Sequence, residues 1–422
     1  MLDLRDAYAV PPPPAVELRA FTHGLMPRSV PALMQGFCDD WAERGVDAWN
    51  GVPDRWGLGH ETSWWALPTD LADAYVAPIL GAPRGSCILQ PNVHWSVQAL
   101  LSCDEPFAGP DGRAGGRTDV VFSQNEFPSV RHSVQRWAGL RALRPVEAPA
   151  GPDGFLDVDA LCDAVTDRTA WVFVSHIGFT TGELVPDAAL ARVVEAARAH
   201  GAHVCVDGYH ATASVPVDVT ALGVDAYLGG LLKEASGSTG NAYLYVRPGC
   251  ALTPRLAGWF ADADPFGFHD APRDHPEVRR RFLAGTTAVA SMYHAVEGLR
   301  ILLAAHDGAQ TGVAAVRADA LAKTARAIDR GDAAGLALRS PRAPGHRGAM
   351  TIFEVEAADR LCGWLKTQGV YTDSRRGRYL RLAPFVWNPA EDIDRAFDAV
   401  EAGLRSGAYL RWEPAAEGGP VT

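Results

Sequence analysis

Lysine is nearly missing from this chain: among 39 basic residues only Lys233, Lys323 and Lys366 carry a primary amine, and arginine takes every other such position. An amine condenses with an aldehyde and a guanidinium does not, so a lysine kept against this background is a candidate for that chemistry. Positive charge is short overall. The 50 acidic residues leave a formal net charge of −11, which argues against nucleic-acid phosphates or anionic membranes as partners. The seven cysteines, at positions 38, 87, 103, 162, 205, 250 and 362, form no CxxC pair, and no histidine cluster has zinc-ligand spacing. No metal site is expected, and the thiols read as reduced. The opening MLDLRDAYAVPPPP lacks the basic and apolar regions of a signal peptide, and no apolar run approaches a membrane span. A cytoplasmic location is the expectation. No GxGxxG follows a strand in the first βαβ unit and no GxSxG elbow is present. Dinucleotide binding and serine hydrolysis are therefore poor readings.

With 422 residues, 47% hydrophobic and 21% charged, the chain can build two or three domains around large cores. Between 170 and 247 its pattern alternates. AWVFVSHI at 170–177 is a continuous strand-type run, and PDAALARVVEAARAHG follows, with Leu190, Val193, Val194 and Ala197 on one helical face. HVCVDG, AYLGG and NAYLYV are further short strands. Strand, helix, strand is a βαβ unit of a parallel sheet, and such sheets bind ligands beyond the carboxyl ends of their strands. Asp207 stands at such an end. Upstream, SCILQPNVHWSVQALLS reads as strand, turn and helix, placing Pro91 to His94, with Asn92 and Val93 between them, at a helix N-terminus suited to a phosphate. The segments at 104–117 and 148–154 read as surface loops. After Ala290 come helices, two strands (MTIFEVEA and YLRLAPFVW) and a last helix, a smaller α+β domain. The expected division is an N-terminal arm belonging to the small domain (1–60), a large domain (61–300), a small domain (301–407) and a disordered tail (408–422).

Lys323 and Lys366 lie in helical contexts where a solvated charge is expected. Lys233 differs. It follows AYLGG and precedes EASGSTG, a loop of small residues that lets backbone approach a ligand. Asp207 lies 26 residues earlier, with His210 three residues beyond it. A lysine, an aspartate and an imidazole at the ends of neighbouring strands are what pyridoxal phosphate needs. The amine condenses with its aldehyde, the carboxylate keeps its pyridine nitrogen protonated, and the imidazole lies near ring or phosphate. Each residue alone has an ordinary structural reading; the combination carries the expectation.

The stretch VDGYHATASVPVDVTALGVDAYLGGLLKE resembles the kynureninase-like branch of the class V aminotransferase superfamily. These are fold type I pyridoxal-phosphate enzymes, with a large domain on a mainly parallel sheet and a smaller α+β domain. The resemblance runs collinearly from about Phe21 to Leu404. The family's DxxH, its GVD and its lysine appear as Asp207 and His210, Gly223 to Asp225, and Lys233. FPSV at 127–130 is similar to the family's FPSD, which implies Phe127 stacked on the pyridine ring and Ser129 near the phosphate. SHIGFTTG implies Ser175 beside the cofactor. Gly258, Trp259 and Phe260 match GWF, which implies that Trp259 reaches the cofactor phosphate of a partner subunit in a homodimer. Thr286 stands where a family asparagine contributes across that interface. YLRLAPFVWN resembles RxAPxxxYN, which implies that Arg381 grips the substrate α-carboxylate.

The departures are specific. Leu232 replaces the tyrosine before the lysine, Val130 replaces the aspartate of FPSD, Thr286 replaces the asparagine, and HGLMPRSVP at 23–31 replaces a GNSLG-like segment. After loss of the α-proton three outcomes compete: Cβ–Cγ hydrolysis as in kynureninase, elimination from a cysteine conjugate, and transamination. The resemblance implies side-chain cleavage of an L-amino acid. A class V aminotransferase or cysteine-S-conjugate lyase is the alternative, and a binding protein that has lost catalysis is a third. Six tryptophans between 41 and 95, with His60 among them, either wall an aromatic substrate pocket or pack an arm.

Overall fold

The computed structural model describes residues 1–109, 112 and 115–413. At its centre is a seven-stranded sheet in the order Cys87–Gln90, Ala242–Val246, Ala226–Gly230, His203–Asp207, Thr169–Ser175, Asp119–Ser123, Arg144–Ala148. The last five run parallel, and Ala242–Val246 is antiparallel to both of its neighbours. All seven residues of Thr169–Ser175 are buried, because helices cover both faces of a parallel sheet and leave no side for polar residues. The helix Asp187–Ala199 buries Leu190, Val193, Val194 and Ala197, the face read from the sequence. Gly223 ends the helix Val219–Leu222 at φ 69°, a left-handed conformation that lets the chain turn straight into Ala226–Gly230. Ser175 pairs with Asp207 and Asp207 with Leu228, so three strands end at one edge.

A second, four-stranded antiparallel sheet has the order Asp373–Arg375, Tyr379–Leu382, Thr351–Glu354, Ala337–Leu338. The helices Gly312–Ala333, Ala358–Thr367 and Ala390–Ser406 pack on it and on each other. The expected strand YLRLAPFVW stops at Leu382, and Phe385, Val386 and Trp387 continue as a buried loop. The N-terminal segment is tied here: Val16 and Glu17 pair with Val370 and Tyr371, and Leu4 N–H donates to the Val386 carbonyl. The helix Val30–Arg44 instead packs on Val289–Ala295, beside the large sheet.

Two expectations are corrected. Lys323 is not solvated; it is fully buried, bonded to Asp319 (2.7 Å) and to the carbonyls of Leu2 (3.1 Å) and Phe385 (2.8 Å). Its amine joins the first residues to the C-terminal region, and its charge is tolerated because donor and countercharge are both matched. Of the two readings of the tryptophans, Trp49, Trp56 and Trp64 take the packing one. Trp56 and Trp64 donate to the carbonyl and hydroxyl of Tyr293, Trp56 stacks edge-on to that ring at 4.9 Å, and Phe37 and Trp49 flank Trp64. These three pack the arm onto the large domain. Of the tail expected at 408–422, Ala408–Arg411 form a helical turn, and 414–422 lie outside the described residues.

Candidate active site

Beyond the carboxyl ends of the parallel strands lies a cavity of about 280 Å³ lined by Asn92, Val93, Phe127, Ser129, Ser175, Asp207, His210 and Lys233, with His94, Ile177, Phe179, Tyr209 and Leu232. Eight residues singled out in the sequence thus meet in one place. Two helix N-termini converge on it. Asn92 caps the helix Val93–Ser102, its side chain accepting from Trp95 N–H at 2.8 Å, and the helix Pro128–Trp137 begins one residue after Phe127. Free N–H groups and the positive dipole ends of two helices suit an anion. Proline at the first position of the second helix costs no hydrogen bond there.

Strand ends supply the remaining chemistry. Asp207 Oδ1 accepts the Tyr209 N–H at 2.9 Å, leaving Oδ2 without a partner among the described residues. Burial raises its pKa to about 6. Lys233 Nζ stands 2.9 Å from His210 Nε2, 4.5 Å from the Tyr209 ring centroid and 5.8 Å from that of Phe127. Desolvation lowers the amine's pKa; the carboxylates of Glu234 and Asp207 oppose this and the guanidiniums of Arg381 and Arg375 add to it. Desolvation and the Lys233 charge keep His210 neutral. A less basic amine beside a neutral imidazole is a ready nucleophile and base. Leu232 puts an apolar side chain into the wall where a tyrosine hydroxyl was lacking in the sequence.

Arg381 is set one layer behind the wall. It is 2% exposed, its Nη2 pairs with Asp373 at 2.6 Å, its Nη1 donates to the Phe179 carbonyl at 2.8 Å, and it lies 4.2 Å over the Phe21 ring. The remaining expected residues are elsewhere in the single chain. His60 is exposed, its ring against the Glu61 carbonyl. Thr286 lines a separate cavity with Trp95 and Gln90. Trp259 is 44% exposed in an aromatic cluster with Trp65, Phe266 and Phe268. His203, Asp225 and Cys250 have ligand atoms within 4.8 Å of each other, but Asp225 already pairs with Arg247 at 2.7 Å.

Four polar residues escaped the sequence reading. Tyr209 lies between Asp207 and His210 and could have been found from that spacing. Glu126 precedes Phe127 and is fully buried; its carboxylate accepts from Ser175 N–H (2.6 Å), Ser175 Oγ (2.9 Å) and Ser123 Oγ (3.0 Å). Burial, then the charge of Asp207, raises its pKa to about 7. Glu234 and Arg375 are the others, and only their contacts distinguish them from surface charges.

The residues fit pyridoxal phosphate. The fit rests on the Asp207 oxygen left without a partner among the described residues at the cavity, the amine held by an imidazole and not by a carboxylate, and the two helix N-termini at the same cavity.

The class-V aminotransferase family model matches residues 111–359. A kynureninase of Burkholderia pseudomallei is 29% identical over 413 residues, covering 94% of this chain and 90% of that protein. An uncharacterized aminotransferase, YcbU, of Bacillus subtilis is 28% identical over 336 residues, covering 79% of this chain and 83% of that protein. Among solved structures, the cysteine desulfurase CsdA of Escherichia coli superposes with a TM-score of 0.75 at 20% identity, covering 95% of this chain and 98% of that one. The cystine C-S lyase C-DES gives 0.75 at 17%, covering 92% and 98%. At such identities the two structures establish the fold alone. The match over more than half of its length, on a sheet that brings Lys233, Asp207 and His210 to one cavity, means that this chain belongs to the class-V aminotransferase family of pyridoxal-phosphate-dependent enzymes.

Proposed function

We propose that the protein cleaves the side chain of an L-amino acid, by kynureninase-like Cβ–Cγ hydrolysis or related lyase chemistry. The observation that carries this reading is the Lys233 amine at 2.9 Å from His210 in the cavity that Asp207 lines; the 29% identity to kynureninase over nearly the whole chain supports the side-chain cleavage. When bound, the cofactor supplies an aldehyde for amines and a ring that accepts electrons. Lys233 would hold that aldehyde, and its amine is the group placed to take the substrate's α-proton. Asp207 holds the pyridine nitrogen, Phe127 covers the ring, and Ser129 with the N-termini at Asn92–Val93 and Pro128 binds the phosphate. Ser175 lies alongside. Arg381 orients the α-carboxylate from behind the wall. Trp259 and Thr286 complete the site of a second copy in a homodimer, which accounts for their positions outside their own chain's cavity. The aromatic cluster supports that assembly, since Phe266 is 62% and Phe268 75% exposed and such patches mark interfaces. His60 has no role in its own chain's cavity and belongs to this reading only through the partner. The reading places the enzyme in the cytoplasm, in keeping with its seven unpaired thiols; no helix among the described residues is long and apolar enough to cross a membrane.

The test mixes cofactor-loaded protein with L-kynurenine and follows anthranilate fluorescence with alanine by mass spectrometry. Equimolar products are expected. Pyridoxyl attached to Lys233 by borohydride, with no anthranilate formed, would move the reaction to the second reading, transamination or C–S cleavage, which the similarity to YcbU favours on the transamination side.

A further inference from the structure

Glu234 follows the lysine directly and is 1% exposed, yet neither of its carboxylate oxygens has a hydrogen-bond partner among the described residues. A buried carboxylate in that condition is costly and calls for a reason. Its Oε1 stands 3.8 Å from Nδ1 of His210, which also lacks a hydrogen-bond partner among the described residues. The other ring nitrogen, Nε2, is 2.9 Å from Lys233 Nζ. Amine, imidazole and carboxylate therefore form a file leading from the cavity into the protein. The 3.8 Å gap exceeds a hydrogen bond by roughly 1 Å, within reach of a small side-chain rotation.

We propose that Glu234 is a positioning residue that holds the His210 proton on Nδ1, so that the Nε2 lone pair faces Lys233 and the file carries one proton to and from the lysine amine. The inference rests on the cofactor reading above. In the forward step the Nζ–H bond breaks and Nε2–H forms, while Nδ1–H breaks and a carboxyl O–H forms on Glu234. An ammonium and a carboxylate become an amine and a carboxylic acid, so no net charge appears in the interior. The amine must lose that proton to attack an aldehyde carbon and to act as a base. Burial raises the Glu234 pKa and lowers that of Lys233, bringing their proton affinities together as a relay requires. The other charges acting on this pair are Asp207, Arg381 and Arg375; for His210 they are Lys233, Arg381 and Arg375.

Two measurements on the full-length protein stripped of cofactor test the relay. In the first, pyridoxal phosphate is added across a pH series, uptake is followed by its visible absorption, and the pyridoxyl site is mapped after borohydride. In the second, the His210 tautomer is read from 15N chemical shifts, assigned by loss of the signal in His210→Asn. The wild type is expected to show the Nδ1–H tautomer. Glu234→Leu should lose that preference and shift the uptake midpoint down by about one pH unit, because an anion that favours the ammonium form has gone. Glu234→Gln keeps an acceptor without the charge, so it should keep the tautomer and show the shift; it decides the matter if the leucine variant does not fold. Variants that load cofactor with the wild-type midpoint and tautomer would overturn the relay and leave the cofactor reading standing. A wild-type chain that takes up none at Lys233 would overturn both.

Discussion

Burial acts on Lys233, Asp207 and Glu126 with opposite signs, and each sign yields a measurable outcome. It lowers the lysine and raises the two carboxyl groups. A carboxyl whose folded-state pKa is raised stabilises the fold fully below its unfolded value and loses that contribution as the pH rises through the folded value. For Glu126 the window runs from the ordinary 4.5 to about 7, and the stability at stake is on the order of 3 kcal/mol at most. Glu126→Gln can keep its bonds to Ser175 and Ser123 without a charge to bury. Cofactor-free protein carrying it should melt roughly 3 °C above the wild type at pH 8 and no higher at pH 4, as calorimetry would show; equal melting at pH 8 would mean that folding does not raise the pKa of Glu126. Asp207→Asn should retain cofactor and lose about two orders of magnitude in turnover, because an amide cannot hold a ring proton by charge. Undiminished turnover would take Asp207 out of the site. Arg381→Ala should raise KM about tenfold or more and leave the cofactor's absorption band unchanged. A protein that no longer binds cofactor would show that Arg381 supports the wall and not the substrate.

Elements matter here through their ends and close approaches. The loop that carries Lys233 is pressed by the N-terminal segment: Gly24 N–H donates to the Leu232 carbonyl at 3.0 Å, and a Cβ on Gly24 would lie 2.1 Å from the Lys233 carbonyl oxygen. Within the loop Ser236 (φ 51°) and Ser238 (φ 56°) hold left-handed backbone, a strained state that persists only where its surroundings enforce it. Gly24→Ala should therefore displace the loop and weaken pyridoxal-phosphate retention tenfold or more, measured by dialysis and absorbance, while the melting of the large domain changes little. Wild-type retention would show that the loop is positioned from the sheet alone. The segment HGLMPRSVP thus has a role that no motif in it announced, because the glycine's importance lies in a neighbour more than 200 positions away.

Assembly is argued from the whole molecule. Trp259, Phe266 and Phe268 are exposed together on one surface, and Trp259 and Thr286 lie away from the cavity of their own chain. Sedimentation should give a dimer, and Trp259→Ala should weaken both dimer and cofactor affinity; a monomer that binds cofactor fully would detach both residues from the site. Most of the large sheet was legible in the sequence, since its strands are short apolar runs separated by a helix with a clear apolar face. The fate of the tryptophans, of Lys323 and of the final strand was not. An indole packs or lines a pocket according to what lies opposite, and a lysine in a helix is solvated or buried according to what the chain brings near it, here the carbonyls of Leu2 and Phe385.

The amino-acid sequence by itself determined the α/β class, the strand-end positions of Asp207 and Ser175, and the singular lysine at 233, because these depend on local periodicity and on the chemistry a residue type can perform. Only the tertiary structure decided that Arg381 lies behind the cavity wall, paired with Asp373, that Glu126 is a buried carboxyl under Ser175, and that Glu234 faces His210. Those are properties of distance and dielectric between segments far apart in the chain, and no pattern within either segment encodes them.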